Sequence, residues 1–220
     1  MITLQVPILY GGFKGQERLL INGKWSEARK RVSQFFGETL QDYTRYGLPS
    51  HNGEDLITVY DDPILAMHDG IVIRDEPSPS GGNWVFIWNK EEGYLTVYMH
   101  NRILKVKKGD VVKAGQMIAL SDTTGNSTGN HVHIGLYKTD DQGTIINDNP
   151  WHGAMKIFDN PDVILKDSMY LLTREEVIRQ YILTRRYHPS EEEIAFWTGK
   201  ALLDMQKVMM KDDASLLGSV

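Results

Sequence analysis

The 220-residue sequence predicts a mainly β protein, an antiparallel sandwich or folded sheet with a small α-helical region towards its C-terminal end. Three observations predict it. Between about residues 46 and 138, short runs rich in Val, Ile, Tyr and Trp alternate with Gly, Asn, Asp and Pro, the pattern of strands joined by turns. No βαβ rhythm and no Gly-x-Gly-x-x-Gly occurs, which argues against a nucleotide-binding α/β fold. Beyond about Lys166 the apolar spacing becomes that of helices.

Taken in order, Leu4 to Tyr10 and Leu19 to Trp25 read as short strands, with Gly11-Gly12 and Asn22-Gly23 as turns. Ser26 to Phe36 reads as a helical turn or two that Gly37 ends. The β series follows as Asp55–Tyr60, Gly70–Arg74, Trp84–Asn89, Leu95–His100, Asp110–Val112, Met117–Ser121 and His131–Tyr137. Thr173 to Glu176 is a capping box ahead of Val177, Ile178, Tyr181 and Ile182 at helical spacing. Ser190 to Glu193 is a second one, after Pro189. It opens a helix through Ile194 and Trp197 that Gly199 should stop. Ala201 to Met210 reads as a third helix, and its apolar stripe favours a small packed core. The expected divisions are a mixed extension over residues 1–45 that packs on the core, a β domain over 46–165 and a helical region over 166–220.

Composition narrows the function classes. With 41% apolar and 24% charged residues the chain is an ordinary globular one. Its net charge of -5 and the lack of any block of like charges give no electrostatic grip on nucleic acid or an anionic membrane. Cysteine is absent, which removes disulfides, thiol nucleophiles and Cys-ligated zinc. No apolar run reaches the ~18 residues that suggest a membrane span. The first residues lack the basic and apolar regions of a Sec signal peptide, so export by another route is expected.

The chemistry lies in the spacing of the histidines. His51-Asn-Gly-Glu-Asp55 offers an imidazole and a carboxylate, both common zinc ligands, although alone it also reads as a solvated turn. His131 and His133 stand two apart on a strand and therefore share a face. A metal that requires neutral imidazole relieves their mutual repulsion, while a half-exposed strand with two polar residues is the plainer alternative. Tyr98 and His100 repeat the two-residue spacing. Together, His51, Asp55 and His133 make three ligands and leave a fourth zinc position open to water, the stoichiometry of a catalytic site. His100 and His131 remain as proton-handling groups.

This order, His-x-x-x-Asp, then a strand-borne His, then His-x-His, resembles the motif set of the lysostaphin-type zinc metallopeptidases. The likeness extends to Gly47–Asp55, the Asp69-Gly-Ile-Val turn, Leu95–His100, the Val106–Ile118 hairpin and Thr124–His133, about residues 35 to 138 in the right order. It implies an antiparallel β fold with an open groove, one zinc ion per chain and peptidoglycan peptides as substrate. Carried over by position, His51, Asp55 and His133 bind zinc, His131 acts as general base, and His100 positions or stabilises the tetrahedral intermediate. Tyr98 is a possible groove residue. Glu54 and His68 depart from the family pattern and are expected to face solvent. Asn149–Met155 resembles the ending of some relatives without its Asp-Pro, and His152 and His188 read as structural or surface residues. A metal-free, catalytically dead relative is disfavoured because all five motif positions are filled. The Gly109–Ile118 hairpin resembles a biotinyl or lipoyl carrier but lacks the modifiable lysine turn. A monomer acting on the cell wall is expected. The wall-cutting motifs without a leader suggest a phage lytic or virion-associated enzyme, or one from a small-genome bacterium.

Overall fold

The computed structural model describes residues 1–8, 25–167, 172, 174, 177–178, 181–182, 187–200 and 205. The chain divides into two compact units, one formed by residues 1–8 and 23–168, the other by 9–22 and 169–220.

The first unit is built of strands, as predicted. After β1 (Ile2–Gln5) and the short helix α1 (Trp25–Arg29) come β2 (Val32–Gln34), β3 (Glu54–Ile57), β4 (Pro63–Leu65), β5 (Gly70–Arg74) and β6 (Asn83–Asn89). Then follow β7 (Tyr94–Leu104), β8 (Val111–Val112), β9 (Met117–Ser121), β10 (His131–Lys138), β11 (Ala154–Met155) and β12 (Val163–Lys166). The main sheet runs β2-β3-β10-β7-β6-β5-β8, and every neighbouring pair in that path is antiparallel. β9 joins β7 and carries β4, while β11 flanks β10. The pairing of β1 with β12 is parallel and separate.

Residue order explains the sheet. In β6 the two-residue period puts Val85 and Ile87 fully inside one layer and Trp84, Phe86 and Trp88 on the opposite face. Tyr94 to Tyr98 of β7 are all buried, because this central strand is covered on both faces.

The helix expected at Ser26–Phe36 and the exposure expected of His68 change. Ser26–Phe36 is helical only to Arg29, and Val32–Gln34 is a strand paired with β3. Pairing with a neighbouring edge outweighs the weak helical preference of so short a segment. The strand expected at Leu19–Trp25 lies outside the described residues, apart from Trp25, which opens α1.

His68, expected at the surface, is only 3% exposed. Its Nδ1 donates to the Asp69 carbonyl at 2.8 Å, and its Nε2 lies 2.8 Å from Thr96 Oγ1. The Thr96 hydroxyl is in turn hydrogen-bonded to that of Tyr98. Burial lowers its pKa to about 4, against the Asp69 carbonyl and carboxylate, which favour the charged form. The folded value lies below the ~6.5 of an exposed imidazole, so between the two the unfolded chain binds more protons. Stability contributed by neutral His68 is therefore present above about pH 6.5 and is lost as pH falls towards 4. The expected loss is about 3 kcal/mol. Urea midpoints at pH 7 and pH 4.5, with chelator present, should lie further apart in the wild type than in His68→Gln. An equal separation in both proteins contradicts this assignment.

The second unit shows the second capping box as predicted. The Ser190 hydroxyl accepts from Glu193 N, and the Glu193 carboxylate accepts from Ser190 N at 2.8 Å. The helix α2 (Glu191–Trp197) buries Ile194 and Trp197 and is followed by Gly199 at φ 78°. Thr173 and residues 201–204 and 206–210, to which the other helical readings extend, lie outside the described residues. Among the described residues no helix is long and apolar enough to cross a membrane.

Candidate metal centre

β3, β10 and β7 lie side by side, and their register builds the site. Asp55 stands directly opposite His133, and His133 directly opposite Met99. Side chains so paired are neighbours on one face. His131, two residues before His133, shares that face. His51 comes from the loop entering β3, and His100 from within β7.

The donor atoms close into a small triangle. His51 Nε2 is 3.0 Å from His133 Nδ1 and 3.1 Å from Asp55 Oδ1, and His133 Nδ1 is 2.9 Å from Asp55 Oδ1. Both rings are buried. His51 Nδ1 faces the Phe35 carbonyl at 3.2 Å. A carbonyl only accepts, so Nδ1 carries the proton of the neutral ring and Nε2 turns a bare lone pair towards a carboxylate oxygen. His133 Nδ1 can offer at most one proton between two acceptors, His51 Nε2 and Asp55 Oδ1, so the cluster holds more lone pairs than protons and suits a cation. Two ligands on a tetrahedral zinc lie ~3.3 Å apart, given bonds of ~2.0–2.1 Å. The observed edges are close to that, and the three residues form a group that could hold a metal ion.

Electrostatics agree. Burial alone would raise the Asp55 carboxyl, but the adjoining His133 and His51 imidazoles outweigh it and hold Asp55 well below the usual carboxylate range. Burial lowers His133 against the pull of Asp55. His133 Nε2 is itself buried without a partner, a cost of ~1–3 kcal/mol that the fold carries here.

The remaining two histidines stand around this triangle. His131 Nε2 is 3.6 Å from Asp55 Oδ2, and its Nδ1 donates to the Gly129 carbonyl at 2.8 Å. His100 Nδ1 donates to the Thr124 carbonyl at 2.8 Å, and its ring lies 4.7 Å from that of His131. Burial, then repulsion from His133 and His131, lowers the pKa of His100 to about 4. Both rings are pinned at Nδ1, which leaves Nε2 free for chemistry. They line a groove of about 890 Å³ whose walls include Leu40, Tyr46, Ile57, Met99 and Asn126.

Two expectations are corrected. Tyr98 does not face the groove. It is fully buried, and its hydroxyl accepts from Met67 N at 2.8 Å. The two-residue rule failed because His100 has φ 65°, which turns its side chain away from regular alternation. A non-glycine residue there costs of order 1–3 kcal/mol, a strain that clusters at functional sites. Glu54 does not face solvent. It is 1% exposed and accepts hydrogen bonds from the backbone N–H groups of Phe36, Ile157 and Phe158. Burial raises its pKa against those three donors. Residues 157–158 cover the face of β3 that sequence alone left open.

Sequence reasoning also missed Tyr43, whose ring lies 5.8 Å from His51 and whose buried hydroxyl has no hydrogen-bond partner. No spacing rule marks a loop residue of this kind. Tyr46 and Asn126, joined at 2.6 Å, link two loops that line the groove. His152 is exposed near Gly47, and His188 is exposed in the second unit.

The comparisons with known proteins follow the same segment. Residues 49–147 match Peptidase family M23. Over 120 residues, 54% of this chain, the sequence is 35% identical to the peptidoglycan DD-endopeptidase ShyA of Vibrio cholerae, of which the match covers 26%. Over 85 residues it is 36% identical to lysostaphin of Staphylococcus simulans, 38% of this chain and 17% of that one. The chain thus spans about a quarter or less of the length of these relatives. The catalytic domain of Staphylococcus simulans lysostaphin superposes with a TM-score of 0.50 at 24% identity, covering 61% of this chain and 94% of that domain, so the fold is lysostaphin-like. Residues 49–147 thus carry the sequence pattern of Peptidase family M23, in a chain whose fold is lysostaphin-like.

Proposed function

We propose that this chain is a zinc-dependent endopeptidase that hydrolyses peptide bonds of peptidoglycan, in stem peptides or cross-bridges. The observation that carries the reading is the triangle of His51 Nε2, Asp55 Oδ1 and His133 Nδ1 at the edge of an open groove, with two further imidazoles pinned at Nδ1. The relatives named as a peptidoglycan endopeptidase and as lysostaphin support the substrate class.

His51, Asp55 and His133 hold the ion. When bound, zinc supplies polarisation of the scissile carbonyl and acidification of water. His131 presents the Nε2 lone pair, takes up a proton as general base and returns it to the leaving amine. His100, with its proton committed to the Thr124 carbonyl, positions the reacting groups through Nε2. It stabilises developing negative charge only when protonated. The low pKa of about 4 makes that form scarce in the metal-free site at neutral pH.

Digestion of purified sacculi of several wall chemistries by the zinc-loaded chain, with products identified by mass, tests the proposal. New amino termini should arise at peptide bonds, stop with chelator and resume with added zinc. Intact sacculi of every chemistry despite a full zinc complement refute it. The same products decide between glycine bridges and D-Ala-containing cross-links.

A further inference from the structure

His100 is the one described non-glycine residue with a left-handed backbone inside a strand; Asp61, His152 and Asp159, the others with positive φ, lie in turns. β7 changes partner at this point. It pairs with β10 up to Met99 and with β9 from Asn101 onward. Against β6 the register slips between Asn83 and Val85, so Met99 and His100 oppose the single residue Trp84. That is a β-bulge, and a bulge strips ladder partners from nearby backbone groups, which then need other partners.

Asn101 supplies them. It is fully buried, and its Nδ2 donates to two carbonyls, Tyr98 O and Asn83 O, each at 2.9 Å. Those carbonyls stand on either side of the bulge, one before it on β7 and one across it on β6. Both can only accept, so the orientation of the amide is decided. Its Oδ1 is buried without a partner. The side chain is therefore suited to its place by its two N–H groups and not by its oxygen.

Thr124 completes the clamp. Its hydroxyl donates to Asn101 O at 2.7 Å and accepts from Asn83 N at 3.1 Å. Its carbonyl receives the His100 Nδ1 proton. His100 N donates to Gly81 O at 2.8 Å. The backbone conformation, the ring tautomer and the direction of Nε2 thus all pass through one hydrogen-bonded cluster.

We propose that Asn101 is a positioning residue for His100: its amide ties together the two strands at the bulge and so holds the imidazole with Nε2 in the groove. The functional consequence rests on the endopeptidase reading above, while the structural one does not. Asn101→Leu removes both donors at similar size.

In the zinc-loaded full chain, kcat on a cross-linked wall peptide should fall on the order of 10- to 100-fold, the scale of a misplaced catalytic group, with KM nearly unchanged. The zinc content should stay at the wild-type value. In a His100→Ala background the same substitution should cause no further loss, because its effect acts through His100. Independently of turnover, long-range ¹H–¹⁵N spectra should show a single Nδ1–H tautomer of His100 in the wild type and a tautomer mixture in Asn101→Leu. If Asn101→Leu does not fold, Asn101→Ser, which retains one donor, should show a smaller loss of the same two kinds. Equal losses in both backgrounds, or unchanged His100 resonances, overturn the proposal. Should the wild type bind zinc yet cut no wall peptide, the endopeptidase reading fails, and the spectra still decide the role of Asn101.

Discussion

Asp55→Ala is expected to lose both the metal and the activity. Asp55 Oδ1 is the only anionic corner of the triangle, 2.9 Å from His133 Nδ1 and 3.1 Å from His51 Nε2. Without it, two buried imidazoles remain to hold a divalent cation with no anionic ligand to offset its charge. Losing an outer-sphere partner typically costs ~10- to 100-fold in metal affinity, and loss of a direct ligand should exceed that. The folded chain should survive. Asp55 has no buried cation left to neutralise when both imidazoles are neutral, and its β3–β10 pairing is a backbone matter. Zinc per chain by mass spectrometry, together with wall-peptide turnover, checks this. A variant that keeps one zinc and wild-type turnover removes Asp55 from the site.

Gly53→Ala should be nearly as damaging, for a different reason. A methyl group at Gly53 would lie 2.5 Å from His133 Cε1 and Nε2 and 2.5 Å from the Ile134 carbonyl oxygen. The carbonyl belongs to β10 and cannot retreat without breaking its ladder with β3 and β7. The ring can retreat only by carrying Nδ1 away from His51 and Asp55. The backbone of Gly53 is not in the left-handed region, so the effect is one of space and not of conformational freedom. Overpacking of a closed site typically costs ~1–3 kcal/mol, and the rigid carbonyl places this case at the upper end. For a chain of this size that is about 6–12 °C in Tm. Calorimetry with chelator present separates this loss from lost metal binding, which should weaken as well. An unchanged Tm and an unchanged zinc affinity would falsify the close approach.

The site was legible wherever one element contained its own signal. His131 and His133 follow the period of a strand, and β10 delivers both to one face. Ser190 and Glu193 form a reciprocal cap within four residues, and it forms as written. Tyr98 was misplaced by the same period because one residue of β7, His100, leaves the extended conformation. Glu54 and His68 were misplaced because alternation reports which face a side chain takes, not whether another layer covers that face. For Glu54 the cover is the backbone at 157–158; for His68 it is Thr96 and Tyr94.

What the amino-acid sequence determined by itself is the inventory: donors of the right chemical type, strands that present them, turns that punctuate them and a helix cap. Only the tertiary structure decided which donors meet. His51 and His133 are 82 positions apart, and no local preference reaches across that distance. The register of β3 on β10, the bulge in β7 and the carbonyls that claim each Nδ1 set the distances and tautomers. The physical reason is that side-chain period and turn chemistry act within a few residues. Burial, hydrogen-bond satisfaction and the meeting of lone pairs are settled between segments, once the whole chain has closed on itself.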